Sequence, residues 1–184
     1  MLGLRGRGGR LWPERVRQLV AAVEQSQNVL FAEIDVCIVD APQMAHLHQT
    51  YCALPGPTDV LSFDLGTSEQ SPSPAGPGRR GRLPRCGQIV VCRDVAREQA
   101  LSRGHGVQAE LLLYVLHGLL HLSGLDDRTP ADFQRIHAIE DQILATLDWP
   151  VRFSTPPRSP AARHPAPSQP SEASQTKRPA PPRS

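Results

Sequence analysis

The stretch LYVLHGLLHLSGLDD, residues 113–127, combines a leucine-rich run with two histidines, two glycines and two aspartates. A helical segment that is apolar on nearly every side is typical of a buried helix rather than a surface helix. Gly124 follows the run and is free to take the left-handed conformation that ends many helices. We therefore predict a central buried helix over residues 107–122, with a turn directly after it.

His117 and His121 are four residues apart, so on a helix they lie about 40° apart around the axis and roughly 6 Å along it. Two imidazole nitrogens in that relation can converge on one metal ion at about 2.0–2.1 Å each. The turn at Gly124 redirects the chain, so that Asp126 or Asp127 can supply a third ligand. Three protein ligands and one open position are typical of a catalytic zinc site. On spacing alone, buried histidines satisfied by backbone carbonyls remain the alternative.

Gly118, between the histidines, bears on the class of enzyme. Metalloproteases with two histidines at this spacing carry a glutamate directly after the first one as general base. A glycine in that place disfavours a peptidase. We expect the missing side chain to keep the backbone side of the site uncrowded.

The segments on either side of the central helix alternate between strand and helix patterns. Strands are predicted at 33–40, 58–65 and 87–92, and helices at 13–27, 42–52, 93–103 and 130–147. Thr129 and Pro130 are typical of an N-cap and first helical residue, and begin the last helix. The sequence therefore predicts an α+β fold, a small mixed β-sheet packed with about five helices, with a metal site at the end of the central helix.

Three stretches differ in composition from the rest. Residues 151–184 are rich in proline, serine and arginine and have few apolar side chains to bury, so we predict a disordered tail. Residues 1–10 hold three arginines and no acid, and are expected to form a flexible basic N-terminus. Residues 66–85 are predicted to be a surface loop inserted in a single domain, residues 11–150. Because the whole chain has a net charge of only +2, the domain between the basic ends is net acidic.

Other features of the sequence exclude several classes of protein. No run approaches about 18 consecutive apolar residues, so no membrane span is expected. The N-terminus lacks the apolar region of a secretory signal. The four cysteines match neither a CxxC pair nor a zinc-finger spacing, which favours reduced thiols and a cytoplasmic location.

Two blocks of the sequence resemble the signatures of a known family. HGLLHLSG, residues 117–124, is similar to the HGxLHLxG motif of the YbeY family of bacterial rRNA-maturation endoribonucleases, and PTDVLSF, residues 57–63, resembles its second hallmark. The strand at Gly87 and Ile89 is a weaker third match. The resemblance covers about residues 11–148.

The resemblance implies a metal-dependent endoribonuclease with one zinc ion, or another divalent transition metal, on His117, His121 and Asp127. It implies single-strand-specific cleavage of RNA, 3′ end maturation of 16S rRNA and late-stage ribosome quality control in the cytoplasm. The expected partners are single-stranded rRNA and the small ribosomal subunit, with no membrane and no DNA. Thr58 and Ser62 are the candidates for binding substrate in the cleft, and the further candidates for catalysis are Asp126, Arg128 and Ser62.

Three positions depart from the family pattern. Asp127 stands where the family has a third histidine; a carboxylate oxygen binds zinc at about 2.0–2.2 Å, but its charge makes the ion a weaker Lewis acid. Cys52 stands where an arginine is expected near the scissile phosphate, and Gln88 replaces an acid. Arg128 or the arginines of residues 79–85 are the candidates to substitute for that charge.

The departures leave two alternatives open. The first is a ribosome-assembly or rRNA-binding factor with weak or lost catalysis, which the missing arginine and the basic ends favour. The second is a metal hydrolase that acts on another substrate. Metal content and cleavage of single-stranded RNA distinguish them.

Overall fold

The structure is a computed structural model that describes residues 2–5, 12–68 and 83–149; for 2–5 it describes the backbone. Along the chain the helices and strands are β1 (Leu2–Arg5), α1 (Trp12–Gln27), β2 (Phe31–Val39), α2 (Ala41–Cys52), β3 (Val60–Thr67), β4 (Arg85–Cys92), α3 (Arg93–Arg103), α4 (Val107–Leu122) and α5 (Pro130–Thr146). The three strands and five helices expected from the sequence are all present, with β1 in addition. The α+β class is confirmed.

The strands form one mixed sheet in the order β1-β2-β4-β3. Strand β2 is parallel to both β1 and β4, whereas β3 runs antiparallel to β4 and lies at the edge. Strands β2 and β4 are therefore central, which agrees with the continuous apolar run in β4.

The two faces of the sheet carry different layers, because successive side chains of a strand point to opposite sides. On one face lies the main core, where α1, α4 and α5 pack on residues of the central strands that include Ile34, Val36, Ile89 and Val91. On the other face, Met44 of α2 packs with Val90 and Cys92 in a smaller cluster. The helix with the two histidines thus lies in the thicker layer.

Helix α4 is buried on nearly all sides, as its leucine-rich sequence predicts. Two glycines let it lie close to β4: a Cβ at Gly118 would come within 2.9 Å of Ile89 Cγ2, and one at Gly87 within 2.5 Å of Leu122 Cδ1. Gly118 therefore serves the contact between helix and sheet, rather than leaving room at the site as the sequence analysis assumed.

Both ends of the expected loop, and the N-terminus, differ from the sequence-based expectation. Leu2–Arg5 pairs with β2, so this part of residues 1–10 is a strand and not the flexible end that its charge suggested. Strand β3 extends to Thr67 and β4 begins at Arg85, so the insertion is shorter than 66–85. Residues 69–82 and the predicted tail, 151–184, lie outside the described residues.

Arg85 has a structural role that its place in an arginine-rich stretch did not predict. Its Nη1 donates a hydrogen bond to the Leu122 carbonyl at 2.8 Å, and lies 3.5 Å from Asp64 Oδ2. The carbonyls of a last helical turn lack partners within the helix. Arg85 therefore caps the end of α4 beside the histidines.

Among the described residues, no helix combines the length and the apolarity needed to cross a membrane.

Candidate metal centre

His117 and His121 project from the same face of α4 and their side chains converge. Their Nε2 atoms are 2.9 Å apart, and their rings meet edge to face. Both rings are partly buried, and the side chain of His117 is 17% exposed. The pair therefore lies at the inner wall of a site that is still open to solvent.

Each imidazole is oriented by a hydrogen bond from its other nitrogen. His117 Nδ1 donates to Glu140 Oε1 at 2.8 Å, and His121 Nδ1 donates to the Leu125 carbonyl at 3.0 Å. A carboxylate and a carbonyl can only accept, so each imidazole carries a hydrogen on Nδ1, and in the neutral rings both Nε2 atoms carry lone pairs. A histidine that binds metal through one ring nitrogen typically donates a hydrogen bond of this kind from the other nitrogen.

Asp127 brings a carboxylate to the same point. Its Oδ2 is 3.8 Å from His117 Nε2, and one ligand atom from each of His117, His121 and Asp127 lies within 4.8 Å of the others. The turn that places it uses Gly124, whose φ of 103° is strained for other residues, and a bond from Leu125 N to the Leu120 carbonyl. Sequence spacing alone had left the choice between Asp126 and Asp127 open.

The donor set fits a divalent transition metal. Two nitrogen lone pairs and a carboxylate oxygen face one another, and they repel unless a cation or a proton lies between them. Two imidazoles and a carboxylate are a ligand set that zinc takes in catalytic sites. The geometry therefore accommodates an ion held by His117, His121 and Asp127.

Glu140 carries a buried charge behind the pair. Its side chain is fully buried, and burial by itself raises the pKa of this carboxyl, but hydrogen bonds from His117 and His137 outweigh burial and lower it. Burial likewise lowers the pKa of His117, but the hydrogen bond and charge of Glu140, with the charges of Asp59 and Asp127, raise it above its ordinary value. The site thus concentrates negative charge where a cation is expected.

Three residues of the site were missed by the sequence analysis: Glu140 and His137 on α5, and Asp59 before β3. Their importance depends on the packing of α5 and β3 against α4, which spacing within one segment does not reveal. Two signals were present: Asp59 lies inside the PTDVLSF block, and the last helix, with Glu140, fits the family pattern.

The other candidates from the sequence, Ser62, Thr58 and Asp126, lie outside the donor set. Ser62 pairs with Ile89 across the sheet, so it lies on the face that α4 covers. Thr58 Oγ1 donates to Asp59 Oδ1 at 3.0 Å. Asp126 accepts the Asp127 backbone N–H at 2.9 Å and pairs with Arg128, so it orients the Asp127 turn rather than an imidazole.

Two departures from the family pattern lie outside the donor set. Cys52 ends α2 and is exposed, so no fixed positive charge occupies that place. Gln88 Nε2 donates to Asp35 Oδ2 at 3.0 Å, on the sheet face opposite α4. Arg128 is 87% exposed beside Asp127, with Nε 3.0 Å from Asp126 Oδ2.

A second buried charge lies near the other end of α4. Glu110 is fully buried, with Oε1 2.7 Å from Arg103 Nη1 and Oε2 2.9 Å from His105 Nε2. Burial, with the charges of Glu110 and Asp59, raises the pKa of the Tyr114 hydroxyl. Glu110, Tyr114, His117 and His121 share one side of the helix, so a polar stripe runs along it to the metal centre.

Comparison with known proteins identifies the family of the chain. A family profile described as Endoribonuclease YbeY matches residues 10–148. A protein named Endoribonuclease YbeY from Thermobifida fusca is 39% identical over 133 residues, 72% of this chain and 83% of the relative. Two further relatives of the same name are each 38% identical. The match to the protein from Beutenbergia cavernae covers 63% of this chain and 75% of the relative. The match to the protein from Mycobacterium tuberculosis covers 61% of this chain and 63% of the relative.

A solved structure supports the fold. The solution structure of a Thermotoga maritima protein aligns with a TM-score of 0.50 over 89% of this chain and all of that one, at 23% identity. An identity this low bears on the fold alone. The profile match, by contrast, spans residues 10–148, which is most of the chain. The chain therefore belongs to the YbeY endoribonuclease family.

Proposed function

We propose that this protein is a metal-dependent endoribonuclease in which His117, His121 and Asp127 hold one zinc ion. The observation that carries the proposal is the convergence of two imidazole nitrogens and a carboxylate oxygen within 4.8 Å of one another. The family of the chain supplies the reaction, hydrolysis of RNA phosphodiester bonds.

The residues near the metal centre have separate proposed roles. The ion would supply Lewis acidity to a phosphate oxygen or a water molecule. Glu140 and the Leu125 carbonyl hold the imidazoles in the tautomer that presents Nε2. Arg128 follows Asp127 directly in the sequence, and its side chain is 87% exposed. It is therefore the candidate to bind an RNA phosphate beside the ion. Ser62 on β3 and Thr58 just before it are the residues that we propose to bind the substrate, and Asp126 holds the Asp127 turn.

We propose single-stranded rRNA as the substrate, with maturation of the 3′ end of 16S rRNA and quality control of the small ribosomal subunit as its roles. The support is the YbeY resemblance, together with the names of relatives that share 38–39% of aligned residues. We also propose a cytoplasmic location, which follows from a ribosomal substrate.

Metal content tests the centre directly. Full-length wild type, His121→Ala and His46→Ala are purified without chelator and measured by mass spectrometry. His46 is exposed on α2, so its variant controls for loss of a histidine. We expect about one zinc per chain in wild type and His46→Ala, and a large loss in His121→Ala. Wild type without metal would refute the centre.

Cleavage tests the reaction. The same proteins are incubated with a single-stranded fragment that spans the 3′ end of 16S rRNA, and with the same fragment annealed to its complement. We expect cuts in the single strand that require zinc and are lost in His121→Ala. Intact RNA with zinc-loaded wild type would reject the nuclease.

An rRNA-binding factor without catalysis is the second candidate, and one observation favours it. The exposed Cys52 leaves the place of the family arginine without positive charge. In that case zinc-loaded wild type binds the fragment and small subunits but cuts neither. A Cys52→Arg variant that gains cleavage would show that the charge alone was missing.

A further inference from the structure

Helix α5 presents a histidine to the centre that the donor set does not use. His137 lies one turn before Glu140, and its Nδ1 hydrogen-bonds to Glu140 Oε2. The other carboxylate oxygen, Oε1, accepts from His117 Nδ1. One buried carboxylate therefore joins a ligand histidine on α4 to a second histidine on α5.

We propose that His137 is a positioning residue for the metal centre: it fixes the Glu140 carboxylate, which in turn fixes the tautomer and the ring of His117. This inference rests on the proposed metal site. Behind the metal ligand His117 stands Glu140, and behind Glu140 stands His137.

The geometry explains why a second donor matters. The terminal torsion of a glutamate is broad and roughly twofold, so one hydrogen bond leaves the carboxylate free to rock. Two donors on opposite oxygens remove that freedom. Glu140 is fully buried, so each oxygen without a donor would carry a large desolvation cost.

The ring of His137 is itself held in place. The ring of Phe133, one turn earlier on α5, lies edge to face with it, and the two ring centroids are 4.2 Å apart. The ring of His117 is stacked against it, with 6.2 Å between the ring centroids. The His137 side chain remains 25% exposed, so it can be replaced without opening a cavity in the core. The residue is therefore suited to substitution.

Zinc affinity separates positioning from packing. His137→Phe keeps a ring against Phe133 but removes the donor to Glu140. His137→Asn restores a donor, since an asparagine side-chain nitrogen occupies nearly the place of Nδ1. Loss of a residue behind a metal ligand typically costs about 10–100-fold in metal affinity. For His137→Phe, one layer further out, we expect about tenfold.

Full-length wild type, both His137 variants and a His46→Phe control are titrated with zinc against a chromophoric chelator. Melting temperature is measured without metal, and the visible spectrum with cobalt. We expect weaker zinc binding and an altered cobalt spectrum in His137→Phe, recovery in His137→Asn, and no change in the control. Wild-type affinity and spectrum in a folded His137→Phe would overturn the inference, as would an equal loss in His137→Asn.

A double variant identifies the route of the effect. If His137 acts through Glu140, then His137→Phe should weaken zinc binding less in a Glu140→Gln background than in wild type. Equal losses in both backgrounds would overturn the inference. A wild type that binds neither zinc nor cobalt would instead refute the proposed function, so the two failures are distinct.

Discussion

A single methyl group on Gly118 should disturb both the fold and the metal centre. The added Cβ would lie 2.9 Å from Ile89 Cγ2 and 3.3 Å from both Cγ1 and Cδ1. Carbon atoms in contact prefer about 3.5–4.0 Å, so the separation must grow by about 0.6 Å or more. Ile89 is fully buried in a central strand, so the helix has to move rather than the side chain.

The expected magnitude follows from two opposed effects. Overpacking of a core costs about 1–3 kcal/mol. Alanine is favoured over glycine inside a helix by about 1 kcal/mol, which offsets part of that cost. We expect Gly118→Ala to lower the free energy of unfolding by about 1 kcal/mol. The free energy of zinc binding should fall by more than the free energy of unfolding. A metal site requires its ligands to lie within about 0.5 Å of their productive positions, and Gly118 lies between the two histidines.

Urea denaturation and zinc titration of the full chain measure the two effects. Gly106→Ala is the matched control: it precedes α4, and its Cβ would meet no atom within 4 Å. That variant should lose less than about 1 kcal/mol and keep wild-type zinc affinity. If Gly118→Ala were instead more stable than wild type, with unchanged zinc affinity, the argument from close packing would be refuted.

Three other predictions concern the buried charges and the ion. Glu140→Gln should weaken zinc binding by about 10–100-fold in a chelator competition, because an amide oxygen can accept from only one of the two imidazoles; unchanged affinity would contradict this. Arg103→Met should cost about 3 kcal/mol in urea denaturation, since it removes the cation that lies 2.7 Å from the buried Glu110 carboxylate, and a loss below about 1 kcal/mol would contradict this. Zinc at 100 times its Kd should stabilise the wild-type fold by about 2.7 kcal/mol, and the same zinc concentration should hardly stabilise His121→Ala. Equal stabilisation of the two proteins would show that the ion binds elsewhere.

The helices and strands were predictable because their signals are local. Strand β4 reads as a continuous apolar run, and α5 begins with Thr129 and Pro130, where Thr129 Oγ1 accepts the Asp132 backbone N–H at 3.1 Å. Strand β1 was missed because its pattern is short and its arginines suggested a free end. Its place depends on pairing with β2, which no local signal in residues 1–10 specifies.

The sequence by itself determined the central helix, the face that His117 and His121 share, and the glycine turn after them. These follow from helical periodicity and from the conformational freedom of glycine, which act within a few residues. Only the tertiary structure decided that Asp127 reaches the pair, that Glu140 and His137 stand behind it, and that Gly118 faces Ile89. These contacts join segments remote along the chain, and it is the packing of α4 between the sheet and α5 that brings them together.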